Sequence, residues 1–172
     1  MTDQPMGAGY EMQLERTFDA PRELVFDCFT NPAHMQAWWG PREFTNPVCE
    51  IDARMGGKIL IHMQGPSPFG VNPMEGEFIE VTRPSKLIFT ARAFQGPDGE
   101  WGIDNLNTLT FVEKDGKTVM TLRTQVRKVS EAVRPALSGM REGWSQSFDK
   151  LAELLAGLGL VRPSRRASRS SG

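Results

Sequence analysis

From Phe44 to Val126 one strand-like segment follows another, with no helix-length pattern between them. The segments read FTNPVCEIDA, GKILIHMQ, MEGEFIEV, KLIFTARAF, DNLNTLTFVE and KTVMTLRTQV. Their connections carry turn residues: RMGG, GPSPFGVNP, TRPS, QGPDGEWG and KDG. Parallel neighbours need a crossover of about a dozen residues or more, usually a helix. With none available, these strands form a largely antiparallel sheet. Asp115-Gly116 marks a tight hairpin between the last two. An earlier segment, in which Met12, Leu14 and Phe18 recur at even spacing among Gln13, Glu15 and Thr17, adds a seventh strand.

Helical patterns occur only outside this block. After the first strand, Pro21 suits the first turn of a helix, and Asp19 lies where a capping side chain is useful. Leu24, Val25, Phe26, Cys28 and Phe29 give that short helix its apolar face. Pro32 opens a second helix that Gly40-Pro41 closes. Beyond the strands, Val133, Leu137, Met140, Trp144, Phe148, Leu151, Leu155 and Leu158 are spaced three or four apart, one sustained stripe. Pro135 places its start, and Gly157 and Gly159 are expected to end it. The predicted class is α+β. A curved seven-stranded antiparallel sheet grips a long C-terminal helix, with two short helices between strands 1 and 2. Leu109, Phe111, Met120 and Leu122 share the phase that faces the helix. The expected layout is an N-terminal arm over 1–10, a domain over 11–158, and an Arg/Ser-rich disordered tail over 159–172.

A helix laid across a curved sheet touches it well along a line and leaves space at one end unless large side chains fill it. Nine methionines, ten phenylalanines and four tryptophans supply pliable and bulky apolar walls. The predicted pocket is lined by Trp39, Phe44, Met63, Met74, Phe78, Phe94, Leu109, Met120, Met140, Trp144 and Phe148; for each alone, plain core is the alternative. Adjacent residues on a helix point about 100° apart, so Trp38 and Trp39 cannot face the same core. Trp38 is assigned to the core and Trp39 to the pocket mouth, where its ring forms a wall and its N–H orients a ligand. Asn107 and Asn105 share the inward phase of Leu109 and offer polar contacts; alternatively, Asn105 sits in the loop and Asn107 bonds a neighbouring strand. Arg16 shares the phase of Leu14 and Phe18 and offers a carboxylate clamp or, alternatively, a strand-end ion pair. Gly139 and Gly143, one turn apart, let the helix approach the sheet or leave room for a ligand.

Composition narrows the function classes. A net charge of −1 does not point to nucleic acid or an anionic membrane. Four arginines without an acid lie from Gly157 onward, in the segment read as a solvated tail. The chain has no signal-peptide pattern and no run of about 18 apolar residues. Cys28 and Cys49 have no zinc-site spacing and read as buried thiols of a reducing cytoplasm. No cofactor and no metal is expected. His34 belongs to a short, exposed helix, and Tyr10 to the N-terminal arm. His62, in KILIHMQ, is the one weak candidate for a catalytic base.

Four stretches carry a family likeness: RTFDAPRELVFDCFTNPAHMQAWWGP, DARMGGKI, GEFIEVTRPSKLIFT and MREGWSQSFDKLAELLA. Together they resemble the Hsp90 ATPase activator homologue (AHSA1-like) branch of the START-like superfamily, from about Met12 to Ala156. The resemblance implies a helix-grip fold of the START-like and Bet v 1-like kind. It also implies a small apolar or amphipathic ligand held between helix and sheet, by a carrier or sensor. Two alternatives accompany it: a co-chaperone-like role with a chaperone partner, or a cyclase- or hydrolase-type enzyme using the same cavity. The chain is expected to be a monomer or homodimer without a membrane span.

Overall fold

The computed structural model describes residues 9–171, with side chains through Gly159. In chain order the elements are β1 (Glu11–Phe18), α1 (Arg22–Thr30), α2 (Pro32–Trp38), β2 (Thr45–Ile51), β3 (Lys58–Gln64), β4 (Val71–Thr82), β5 (Lys86–Gln95), β6 (Trp101–Lys114) and β7 (Lys117–Val129). A 3-10 turn (Arg134–Gly139) then leads into α3 (Met140–Ser171). The seven strands form one sheet in the order β1-β7-β6-β5-β4-β3-β2, and every pair is antiparallel. The missing crossovers forced this result. Asp115 and Gly116 take φ of 55° and 79°, the left-handed pair a two-residue hairpin requires, and Lys114 faces Lys117.

Strand alternation puts one apolar row of each strand against α3. Phe78, Leu87, Phe89, Leu109, Phe111, Met120 and Leu122 are fully enclosed, as are Phe148 and Leu151 of the helix. Register shifts between Phe78 and Glu80 and between Asp104 and Asn105 mark irregularities of the bulge kind, at which strands bend and twist more strongly. Two separate clusters of buried side chains result. The larger joins α1, α2 and the middle of α3 to the sheet. The smaller, of Ile103, Val126 and Leu137, lies under the 3-10 turn.

Several local expectations are corrected. Asp19 does not cap α1; Pro21 stands at the cap with no side-chain bond, whereas Asn31 does cap α2 by accepting from the Ala33 N–H. The last helix begins as a 3-10 turn over Pro135, and the α-helix proper starts at Met140. Gly157 and Gly159 lie inside α3 and keep negative φ. Glycine weakens a helix by about 1 kcal/mol but ends it only where it adopts the left-handed conformation. Arg16 is not a pocket clamp: its guanidinium pairs with Asp149 of α3 at 2.5 Å. Tyr10 packs against both clusters, and its carbonyl accepts from the Val126 N–H. Most of the expected arm (1–8), and the side chains of the expected tail beyond Gly159, lie outside the described residues.

Candidate functional site

The gap between the two clusters is a cavity of about 400 Å³. Its floor is β5 and β6, where Ala91 and Ala93 stand beside Ile103, Asn105 and Asn107. Its roof is the 3-10 turn and first helical turns, where Ala136, Gly139 and Gly143 stand among Leu137, Met140 and Trp144. The gap exists because small residues face each other. On β5 the inward row runs Leu87, Phe89, Ala91, Ala93, shrinking just where the helix carries its glycines. A Cβ added at Gly139 would meet nothing within 4 Å.

Contrary to the expectation that they could not share a core, the two tryptophans belong to one buried cluster, their rings 5.7 Å apart, and only Trp39 also borders the cavity. Trp38 is sealed in the core, its N–H donating to the Cys28 carbonyl at 2.9 Å, and its ring stacks edgewise on Phe29 at 4.7 Å. Trp39 turns to the cavity, packed against Trp144 at 5.4 Å and Phe89 at 6.3 Å. Gly40, at φ 92°, reverses the chain where a Cβ would press on Met63 and Phe44. The rim from Trp39 to Phe44 is pinned by Lys150. Its ammonium lies 3.2–3.5 Å from the carbonyls of Trp39, Gly40, Pro41 and Phe44. Burial, then the nearby Arg42, lowers its pKa from the ordinary lysine value. Arg42 adds its own clamp, to Gln146 through its N–H and to Glu153 through its guanidinium.

Of the twelve residues predicted to bind a ligand, Trp39, Phe44, Met63, Met74, Phe94, Asn107, Met140 and Trp144 border the cavity. Phe78, Leu109, Met120 and Phe148 do not. They have the right phase but sit further along the sheet or, for Phe148, further along α3, in the filled core. Asn105 also borders the space, from within β6 rather than a loop. Phe94 reaches it by an unforeseen route. Its position on β5 is of outward phase, yet a φ of 59° takes it out of the ladder between the Ala93–Ile103 and Gln95–Trp101 pairs. It stands at the rim 40% exposed, as does Phe69 at 52%, which stacks on Phe44. Phe69, Ala91, Ala93, Ile103 and Ala136 were missed. The inward pair of alanines was the readable signal.

The chemistry of the walls is narrow. Among the described residues that line the cavity, none is Lys, Arg, His, Asp or Glu. His62 pairs between Val48 and Pro73 in the phase opposite Ile61 and Met63, away from the lining, and His34 lies on α2 outside it. Burial pushes the Cys28 thiol up to about 12, helped by Asp27, and the Cys49 thiol up to about 11, so neither is a thiolate nucleophile near neutral pH. The described residues contain no cluster of metal-ligating side chains, and no helix among them is long and apolar enough to cross a membrane.

The model of the family described as activator of Hsp90 ATPase homolog 1-like protein matches residues 19–156. Among solved structures, a Rhodobacter sphaeroides protein is similar at 24% identity and a TM-score of 0.72, over 90% of this chain and 96% of its own. A Mycobacterium smegmatis protein has 25% identity and a TM-score of 0.70, over 84% and 90%. The AHSA1 protein of Silicibacter pomeroyi has 25% identity and a TM-score of 0.67, over 85% and 97%. No curated protein matches the chain.

Proposed function

The chain belongs to the activator of Hsp90 ATPase homolog 1-like family, and on that premise we propose that it holds a small apolar or amphipathic molecule between α3 and the sheet, as carrier or sensor. The observation that carries this reading is the cavity of about 400 Å³, walled by Trp39, Phe44, Met63, Met74, Phe94, Met140 and Trp144. Its volume lies in the range of about 300–1,000 Å³ usual for small-molecule sites. Its walls supply apolar surface and a few hydrogen-bonding groups, the equipment of a binding site. Methionines give them the tolerance for shape that a carrier or sensor uses. The binding unit spans residues 11–158, and its two free thiols fit a reducing cytoplasm.

N-phenyl-1-naphthylamine, a neutral probe whose emission rises and shifts to the blue in apolar surroundings, tests the reading. The expected result is saturable one-site binding with a dissociation constant on the order of 10 μM. A titration that never saturates, or no enhancement at all, contradicts it.

A further inference from the structure

A buried donor or acceptor without a partner costs about 1–3 kcal/mol, so an apolar cavity that served only as empty space has no reason to keep one. This cavity keeps three. Among the described residues, Trp39 Nε1, Asn107 Nδ2 and Asn105 Oδ1 are buried without a partner, and all three belong to residues that line it. Trp39 is 6% exposed and Asn107 0%. The Asn107 amide is held in place, since the Thr124 hydroxyl donates to its Oδ1 at 2.9 Å and Nδ2 is left over. Asn105 and Asn107 lie two residues apart on one face of β6, a separation of about 6.8 Å. Phe89 pairs with Asn107 across the β5–β6 ladder, and the Trp39 ring stacks on Phe89, so the indole belongs to the same stretch of floor. Two donors and one acceptor thus lie on residues that line one space.

The other polar liners are engaged: Ser147 donates to the Gly143 carbonyl and Asn72 to the Phe69 carbonyl. No charged residue lines the cavity among those described. An ion entering it loses its water and gains no counter-charge, a cost of several kcal/mol.

Resting on the binding reading above, we propose that the natural occupant is an uncharged amphipathic molecule whose compact head carries both an acceptor and a donor, as a carboxamide does. The head oxygen accepts from Trp39 Nε1–H and Asn107 Nδ2–H. The head N–H or O–H donates to Asn105 Oδ1. A flat apolar body extends from the head towards the exposed rings of Phe69 and Phe94.

Displacement of N-phenyl-1-naphthylamine by three ligands of one skeleton tests this: 2-naphthamide, 2-acetonaphthone and 2-naphthoate at neutral pH. The expected order is amide, then ketone, then carboxylate, with the amide at least about tenfold tighter than the carboxylate. Asn107→Leu and, independently, Trp39→Phe are each expected to weaken the amide about fivefold relative to the parent probe measured on the same variant. Trp39→Phe guards against misfolding, because it removes an N–H that has no partner to lose. Equal affinities, a carboxylate preference, or variants that leave the amide preference intact overturn the proposal while probe binding still upholds the apolar site. Failure of the parent probe to bind the wild-type chain overturns both.

Discussion

Gly139→Phe is expected to abolish binding of the naphthylamine probe while leaving the protein as stable as before or more so. A Cβ at this position meets no atom within 4 Å, and the residue borders the cavity between Leu137 and Met140. A benzyl group there starts from open space at the exposed edge of the cavity rather than displacing packed side chains. Gly139 ends the 3-10 turn with negative φ, so replacing it restricts the unfolded chain without backbone strain, a gain of about 0.4–1 kcal/mol. Urea unfolding checks the stability arm, with an unchanged or higher midpoint expected. Probe affinity should fall by more than about tenfold. Destabilisation would show the site to be filled already, and unchanged affinity would place the probe elsewhere.

The largest loss of stability is expected from Trp38→Ala, about 3–5 kcal/mol from the cavity alone. The ring is fully buried and touches Phe29, Trp39 and Phe148. Its removal also orphans the Cys28 carbonyl, for about 1–3 kcal/mol more. Against a total stability of about 5–15 kcal/mol this leaves a marginal or unfolded protein. The neighbouring Trp39→Phe should cost far less, because no internal bond is broken. Thermal unfolding separates the two: a drop of at least about 10 °C for Trp38→Ala and a change of a few degrees for Trp39→Phe. Equal drops would show that both tryptophans serve only the core.

Which of two adjacent tryptophans borders the cavity does not follow from helical geometry alone, because α2 ends at Trp38 and both rings join one cluster; most of the fold, by contrast, was readable. Six strand patterns without a crossover leave antiparallel pairing as the solution, and the stripe from Val133 to Leu158 needs an apolar surface to cover. Phase placed Asn107 and Asn105 on the inner face, where both border the cavity, and Asn107 also bonds Thr124 of the neighbouring strand. Phase alone does not say where along the helix the packing opens. Leu109 and Met120 therefore looked equivalent to Asn107, although they lie in the filled core. The opening is set by what is absent, the side chains missing at Ala91, Ala93, Gly139 and Gly143, and a search for large residues passes over small ones. Phe94 owes its place to a left-handed backbone that its strand pattern does not announce. Lys150 reads in sequence as an ordinary solvated lysine. Its work at the rim comes from four carbonyls supplied by a segment more than a hundred residues earlier.

The methionines offer the most direct measurement of where a ligand goes. Met63, Met74 and Met140 border the cavity, Met12, Met35 and Met120 are buried away from it, and Met55 stands exposed at 68% on the surface. With 13C-labelled methionine methyls, added N-phenyl-1-naphthylamine is expected to give intermolecular contacts to the methyls of Met63, Met74 and Met140. Met12, Met35, Met55 and Met120 should show none. Contacts centred on Met55, or on no methyl at all while the probe is bound, would contradict an occupied gap between α3 and the sheet.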